Sequence, residues 1–216
     1  MSMFHHAGPR TRRLVSFLKR RARGAPQHRP ELDCSTFPRL FRKSAVVFTD
    51  TADFTVRTAR DGILHFLMIF NRIVEAAQPV VRRSRGTIVK VEGDSLLLRY
   101  PDAALACRGV QALDALLQRI NRGKAENERL RFSYGIGYGD ILDIEGDLFG
   151  LEVNLASKLG EDLAAPGEAL LTPAAAAALD AGTLRLVAPY RIVTFGRSAI
   201  PVQCLRLTAS PRRRRS

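Results

Sequence analysis

Apolar residues recur along this chain with two periods, which predict strands and helices in alternation. Residues 45–49 form an almost continuous apolar run typical of a buried strand, and Asp50 ends it. After Asp61 the apolar positions are three and four residues apart, which is the spacing of an amphipathic helix. Pro79 is expected to bend or end this helix, because proline cannot donate the hydrogen bond of an interior helical position.

Two short apolar runs within residues 86–100 predict a β-hairpin with a carboxylate at its tip. Gly93 permits the positive φ that a tight turn needs, and Asp94 follows it directly. Lys90 shares a strand face with Glu92, because strand side chains alternate with a period of two. These residues alone leave open an ordinary hairpin with an acidic turn and a solvated lysine.

The order of the predicted elements indicates the fold. A helix from Pro101 to about residue 122 and an alternating strand over residues 131–138 follow the hairpin. Strand, helix, hairpin, helix, strand is the order of a ferredoxin-like split βαβ core (βαββαβ), an α+β fold with helices on one face of an antiparallel sheet. A C-terminal αβ extension is predicted to contain a strand and turn at 141–146, helices at 151–163 and 173–179, and strands at 168–172, 184–187 and 202–207.

Composition predicts one ordinary globular domain with extra segments. The chain has 216 residues, of which 46% are hydrophobic, so it can bury a substantial core. No apolar run reaches the roughly 18 residues that span a bilayer, and no signal peptide is recognisable, so cytoplasmic residence is the default expectation. Three widely spaced cysteines favour reduced thiols over a disulfide framework or a zinc site.

The positive charge is concentrated at the two ends of the chain. The net charge is +13, and residues 44–211 are net neutral. We therefore divide the chain into a basic, largely flexible segment at 1–43, a folded domain at 44–208 and a basic tail at 209–216. Residues 11–22 can form a short basic amphipathic helix, and such basic flanks suit electrostatic contact with an acidic membrane surface, a nucleic acid or a protein partner.

Four motifs over residues 44–208 together resemble the catalytic domain of the class III adenylate and guanylate cyclases. They are VVFTDTADFT at 46–55, KVEGD at 90–94, GIGYG at 135–139 and FGLEVNLASKLGEDLA at 149–164. The resemblance implies the cyclisation of a nucleoside triphosphate to a cyclic nucleotide with release of pyrophosphate. Phosphate contacts are implied for the backbone of the loop at 51–55, including Phe54 and Thr55.

Metal binding and base selection are also implied by the resemblance. Asp50 and Asp94 match the aspartates that hold two divalent cations, and carboxylate oxygens suit Mg²⁺ or Mn²⁺. Lys90 and Asp147 match the pair that selects adenine in adenylate cyclases. A lysine donates to a ring nitrogen of adenine and an aspartate accepts from its exocyclic amine, so ATP is the expected substrate rather than GTP.

The remaining matches lie in the last motif and near the C-terminus. Asn154 matches an asparagine that orients the ribose. Lys158 stands where most active members carry an arginine that stabilises the transition state, and it keeps the charge while losing the two-point fork. Asp53 replaces a frequent glycine, and Arg197 is a further candidate for a phosphate contact.

Cyclases of this class build each site across a dimer interface, which implies a homodimer for a single chain carrying all of these residues. Asp50 and Asp94 would come from one subunit, and the partner would supply Lys90, Asp147, Asn154 and Lys158. Two alternatives stay open on the sequence. One is a cyclase-like domain with weak or no turnover that binds a nucleotide or a regulatory partner, and the other is a nucleic-acid-binding module that uses the basic flanks.

Overall fold

The computed structural model describes residues 8–28, 33, 40–194 and 201–207, with side-chain environments as far as residue 187. Its strands are β1 (Phe41–Thr51), β2 (Thr87–Glu92), β3 (Ser95–Tyr100), β4 (Phe132–Ile144), β5 (Asp147–Phe149), β6 (Ala169–Leu171), β7 (Val187–Thr194) and β8 (Pro201–Leu207). Its α-helices are α1 (Pro9–Arg23), α2 (Phe54–Asp61), α3 (Ile63–Arg83), α4 (Ala103–Asn121), α5 (Leu151–Lys158), α6 (Pro173–Ala177) and α7 (Ala181–Leu184). A π-helical turn, Leu159–Leu163, continues α5.

The strands form one sheet in the order β2-β3-β1-β4-β6-β8-β7, with β5 paired to β4 outside this path. Its first four strands have the antiparallel neighbour relations of a split βαβ core. The predicted α+β fold class is therefore confirmed. The extension joins the core through β6, which pairs parallel with β4.

The two faces of the sheet carry different helices. Helices α3 and α4 cover one face, where the main core includes Val47, Leu98 and Ile136. Helix α5 covers the other face through Val153 and Ala156, which pack with strand side chains from β1 and β3. The helices of the split βαβ core thus share one face, as expected, and the extension adds a helix to the opposite face.

Strand β4 is longer than the predicted strand at 131–138, because its glycines do not interrupt it. It pairs with β1 without a break from Thr51 opposite Phe132 to Phe41 opposite Leu142. A Cβ atom on Gly135 would lie 1.9 Å from the carbonyl oxygen of Ala156 in α5. The glycines therefore allow the helix backbone to approach the sheet.

Three local predictions were wrong. Helix α3 continues through Pro79 to Arg83, since a proline four residues from the end removes a single bond close to a terminus. The segment from Phe54 is already helical rather than a loop, and the Phe54 ring packs edge-on against Phe66 at 4.8 Å. A helical turn, α7, lies where a strand was predicted to begin, because the Asp180 side chain accepts a hydrogen bond from the Thr183 N–H and caps it.

The N-terminal segment contains helix α1, which is packed on the domain. Leu14 and Phe17 are buried against Leu142 and Ile144 of β4. Glu145 accepts hydrogen bonds from the backbone N–H of Gly8 at 2.8 Å and from the Thr11 hydroxyl, so it caps the N-terminus of the helix. Among the described residues, no helix is both long enough and apolar enough to cross a membrane. The division of the chain at residues 43 and 208 stays a prediction.

Replacing Gly135 with alanine should destabilise the fold by about 3 kcal/mol. The new methyl group would meet backbone atoms of Ala156 and Gly160, which no side-chain rotation can move away. Urea unfolding monitored by circular dichroism measures the loss. Gly182→Ala is the matched control, because its Cβ would meet only the Asp180 carboxylate at 3.4 Å. Equal stabilities of the two variants would contradict this account of the close approach.

Candidate active site

The end of β1 and the β2–β3 turn bring two carboxylates into one neighbourhood. The pairing of Thr49 with Leu96 places Asp50 opposite Ser95, directly beside Asp94. Two hydroxyl contacts fix the approach of the turn to the strand. The Thr51 hydroxyl donates to the carbonyl oxygen of Asp94 at 2.7 Å, and the Leu96 N–H donates to the Thr49 hydroxyl at 2.9 Å.

The electrostatics of this neighbourhood are those of uncompensated negative charge. Partial burial, followed by the charges of the nearby carboxylates of Asp94 and Glu161, raises the pKa of Asp50 to about 6. Burial also raises the pKa of Asp94. In the described part of the chain, neither Asp50 nor Asp94 forms an ion pair with a lysine or arginine.

The residues present fit divalent cations that are shared with a phosphate ligand. The described residues contain no group of three or more His, Cys, Asp and Glu arranged to hold a metal by themselves. Asp50 and Asp94 supply hard oxygen ligands at the edge of a strand, and both stay partly exposed. Such a pair leaves most coordination positions to water or to phosphate oxygens, as Mg²⁺ usually requires.

Lys90 of β2 and Asp147 of β5 approach each other, although these two strands are not paired in the sheet. The Lys90 Nζ is 3.7 Å from the Asp147 Oδ2, and it is 2.8 Å from the Glu92 Oε2. Its pKa is raised, first by the hydrogen bond that Lys90 donates to Glu92 and then by the charge of Asp147. This ammonium group is thus held between two carboxylates at the surface, with its charge retained at neutral pH.

The β4–β5 hairpin positions Asp147. Ile144 pairs with Asp147, and the next residue, Leu148, is buried with the small core under α5. The Asp147 Oδ1 accepts a hydrogen bond from the Leu148 N–H at 2.9 Å, which orients the carboxylate at the start of β5. The hairpin therefore fixes one member of the pair while β2 fixes the other.

Helix α5 presents Asn154 and Lys158 on one exposed side, because they are four residues apart. The Lys158 Nζ forms an ion pair with the Asp162 Oδ2 at 2.9 Å, and this pair raises the pKa of Lys158. Both side chains are more than half exposed. No described contact joins Asn154 or Lys158 to Asp50 or Asp94 within the chain.

The remaining predicted site residues have different surroundings. Asp53 has a left-handed backbone with φ of 60° and precedes α2, so the N–H groups of Phe54 and Thr55 belong to the first turn of that helix. The Phe54 ring points into the core, which leaves only its backbone for a ligand. Arg197 lies outside the described residues. The roles assigned to these residues stay predictions.

Sequence reasoning assigned no role to two acidic side chains that contact the predicted site. Glu92 is the nearest carboxylate to Lys90, and the alternation of strand side chains was the signal that placed them together. Asp162 is the partner of Lys158, and its spacing of four residues along the helix was the available signal. The sequence contained no such local signal for Glu161, whose charge raises the pKa of Asp50.

Searches among known sequences connect the chain to nucleotide cyclases. It is 29% identical over 126 residues to "Putative adenylate cyclase 3" of Rhizobium meliloti, covering 58% of this chain and 21% of that protein. It is 28% identical over 123 residues to an uncharacterized protein of Mycobacterium tuberculosis, covering 57% of this chain and 31% of that protein. The chain thus matches less than a third of the length of these relatives. No protein-family model matches the sequence.

Solved structures give the same result for most of the chain. An adenylate/guanylate cyclase/hydrolase from Silicibacter pomeroyi superposes with a TM-score of 0.65 at 24% identity, covering 78% of this chain and 97% of the other. The adenylyl cyclase CyaB from P. aeruginosa superposes with a TM-score of 0.64 at 20% identity, covering 80% of this chain and 96% of the other. A guanylate cyclase domain from Catenaria anguillulae in complex with GTP superposes with a TM-score of 0.64 at 19% identity, covering 77% of this chain and 96% of the other. The chain has the fold of the catalytic domain of class III adenylate and guanylate cyclases.

Proposed function

We propose that this protein is an adenylate cyclase that converts ATP to 3′,5′-cyclic AMP and pyrophosphate. The observation that carries the proposal is the neighbourhood of Asp50 and Asp94, two partly buried carboxylates without a basic partner among the described residues. Such an arrangement is unfavourable for a protein alone and favourable for holding cations beside a triphosphate. The Lys90–Asp147 pair supports adenine as the base.

The chain's own residues divide the work of the reaction. Asp50 and Asp94 hold two divalent cations, Mg²⁺ or Mn²⁺, which supply charge neutralisation and Lewis acidity when bound. The backbone N–H groups of Phe54 and Thr55 bind phosphate oxygens at the start of α2. The ribose 3′-hydroxyl gives its proton to solvent water, and its oxygen attacks the α-phosphorus. The bond from the α-phosphorus to the bridging oxygen breaks, and pyrophosphate leaves with that oxygen.

Base and ribose are oriented by side chains on the other half of the site. Lys90 donates to a ring nitrogen of adenine, and Asp147 accepts from the exocyclic amine. Asn154 orients the ribose, and Lys158 places positive charge on the phosphate as charge develops in the transition state. Because Asp162 pairs with Lys158, substrate phosphate competes with this carboxylate for the ammonium group.

The two halves of the site come from different subunits of a homodimer in this proposal. Support comes from the absence of described contacts between Asp50 and the Asn154–Lys158 side of α5 within one chain. Three large apolar side chains, Val91, Phe149 and Leu151, are also exposed beside the Lys90–Asp147 pair. Exposed apolar groups clustered at a polar site are typical of an interface.

Subunit complementation provides a direct test of the shared site. Asp50→Asn and Asn154→Ala should each be inactive alone, since each removes a residue from both sites of its dimer. Mixing them should restore up to about a quarter of the wild-type rate, because half of the dimers are mixed and each has one intact site. Chromatographic separation of product measures the recovery. No recovery after verified subunit exchange would contradict the shared site.

Lys158→Arg should raise turnover by about tenfold, because the guanidinium group offers two parallel donors to a phosphate while the ammonium group offers a point charge. Lys158→Met is the control that removes the charge while keeping an unbranched chain. It should lower turnover by at least about tenfold. Single-turnover rates with saturating ATP measure both changes. A lower rate for the arginine variant would show that this position has no catalytic contact with phosphate.

A second candidate function is a cyclase-like domain that binds a nucleotide or a partner without turnover. Lys158 in place of arginine, and its pairing with Asp162, favour this alternative. The deciding experiment is product analysis with ATP or GTP and Mg²⁺ or Mn²⁺, at concentrations where the protein is dimeric. Cyclic AMP that requires Asp50 supports the cyclase. Nucleotide binding without any cyclic product would support the second candidate.

A further inference from the structure

Helix α1 turns a row of basic side chains away from the domain. Its buried side consists of Thr11, Leu14 and Phe17. At 100° per residue, the opposite side consists of Arg13, Lys19, Arg20 and Arg23, which we call the basic stripe, together with Arg12 and Ser16. All four residues of the stripe are exposed, and the helix contains no acidic residue.

The stripe is not neutralised by the domain beneath it. In the described part of the chain, none of its four members forms an ion pair, whereas Arg10 and Arg21 pair with Asp143 and Asp33. Arg42 of β1 extends the positive surface, because it lines the same cleft as Arg13. The positive field therefore points outward from this end of the molecule.

The helix is held rigidly, so the stripe has a fixed orientation. Glu145 caps its first turn, and Leu14 and Phe17 anchor it to β4. The apolar side of α1 is therefore packed against β4 and is not available to a partner. A partner of α1 can reach only the basic side and its edges.

The edges of the stripe indicate which kind of anionic partner fits. Val15 and Ala22 lie beyond Lys19 at one edge of the stripe, where Val15 is partly exposed and Ala22 is exposed. A recess of about 720 Å³ on the other edge is lined by Arg12, Arg13, Ser16 and Arg20 over an apolar floor that includes Phe17. The basic stripe extends about 15 Å along the helix axis from Arg13 to Arg23. A row of exposed Lys and Arg side chains of this kind is attracted to the negative surface potential of an anionic membrane. The described part of the helix exposes no aromatic side chain to stack on a base.

We propose that the outward face of α1 docks the protein on an anionic lipid bilayer, with the basic stripe on the headgroup phosphates. The stripe lies near the start of β1, whereas Asp50 lies near its other end, about 30 Å away along the strand. Docking therefore leaves the candidate active site open to solvent. The proposal does not depend on whether the site turns over ATP.

Vesicle co-sedimentation of the full chain tests this proposal. The wild type should bind phosphatidylcholine vesicles that contain phosphatidylserine and should be released by salt, while pure phosphatidylcholine vesicles should bind little. The triple variant Arg13→Gln, Arg20→Gln, Arg23→Gln should partition at least about tenfold less at low ionic strength. Circular dichroism checks that its fold is unchanged.

Two matched variants distinguish an effect of the basic stripe on vesicle binding from an effect of the net charge of the protein. Arg72→Gln, Arg82→Gln and Arg119→Gln remove three exposed charges from α3 and α4, and this variant should bind within about twofold of the wild type. Replacing Arg212–Arg215 with glutamine should also have a small effect. An equal loss in the α3–α4 variant, or a full loss in the tail variant, would overturn the assignment to α1. Preference for duplex DNA over the anionic vesicles in direct competition would overturn the choice of a bilayer.

Discussion

Asp50→Asn should reduce cyclase turnover by at least about a thousandfold while leaving the fold intact. The amide keeps the shape of the side chain, but it removes one of the two carboxylates that hold the cations and thereby weakens their neutralisation of the triphosphate. Rates with Mn²⁺ and ATP, measured against the wild type at equal dimer concentration, give the effect. Asp53→Asn is the matched control, because Asp53 lies three residues further along the chain, between β1 and α2, and is exposed.

Although Asp50→Asn should lower activity, it should raise the stability of the metal-free protein. The pKa of Asp50 is raised from 3.8 to about 6, so the folded state holds this proton more tightly than the unfolded state. The contribution of Asp50 to the free energy of unfolding is therefore most favourable below pH 4 and is lost as the pH rises to about 6. After allowance for solvent screening, Asp50→Asn should stabilise the metal-free protein at pH 7 by about 1 kcal/mol.

The two measurements together separate a metal site from a structural carboxylate. Urea unfolding in the presence of a chelator should give a midpoint that is higher for the variant at pH 7 and equal to that of the wild type near pH 4. A variant that loses both activity and stability would assign Asp50 to folding. A variant that keeps activity would remove it from the candidate site.

Exchange of the base-selecting pair should invert the substrate preference. Guanine presents an acceptor where adenine presents an amine, and a ring N–H where adenine presents an acceptor. The double variant Lys90→Glu, Asp147→Ser offers an acceptor and a donor in the reverse order. We expect ATP turnover to fall at least about a hundredfold and GTP to become the better substrate, as measured by kcat/KM for both nucleotides.

The single variants are informative because of Glu92. Lys90→Glu alone would place three carboxylates together at positions 90, 92 and 147, so it should be nearly inactive with either nucleotide. Asp147→Ser alone leaves Lys90 paired with Glu92 and should retain a weak preference for ATP. If the single variants and the double variant kept the wild-type ratio of ATP to GTP turnover, this pair would have no role in base choice.

The sequence alone predicted the split βαβ order because each of its elements has a strong local pattern. The hairpin around Gly93 and the helix predicted from Pro101 illustrate this, since a turn glycine and a helix-starting proline act within a few residues. The helix itself begins at Ala103, after the N-cap residue Asp102. The placement of Asp50 and Asp94 at strand and hairpin ends also followed from such patterns. Their role, and those of Lys90 and Asp147, came only from the resemblance to a family.

The tertiary structure decided what depends on contacts between distant segments. Gly137 and Gly139 were expected to end a strand, but β4 continues through both, and they lie beside Glu152 of α5. A Cβ atom on Gly137 would lie 2.4 Å from the carbonyl oxygen of Glu152, so only a hydrogen atom fits there. Helix α1 looked like part of a flexible flank because its partners on β4 are more than a hundred residues away. The raised pKa of Asp50 likewise arises from burial and from the charges of Asp94 and Glu161, all of which depend on the packing of the sheet and α5. Local sequence determines which elements form, whereas the close approach of backbones and charges depends on how those elements pack.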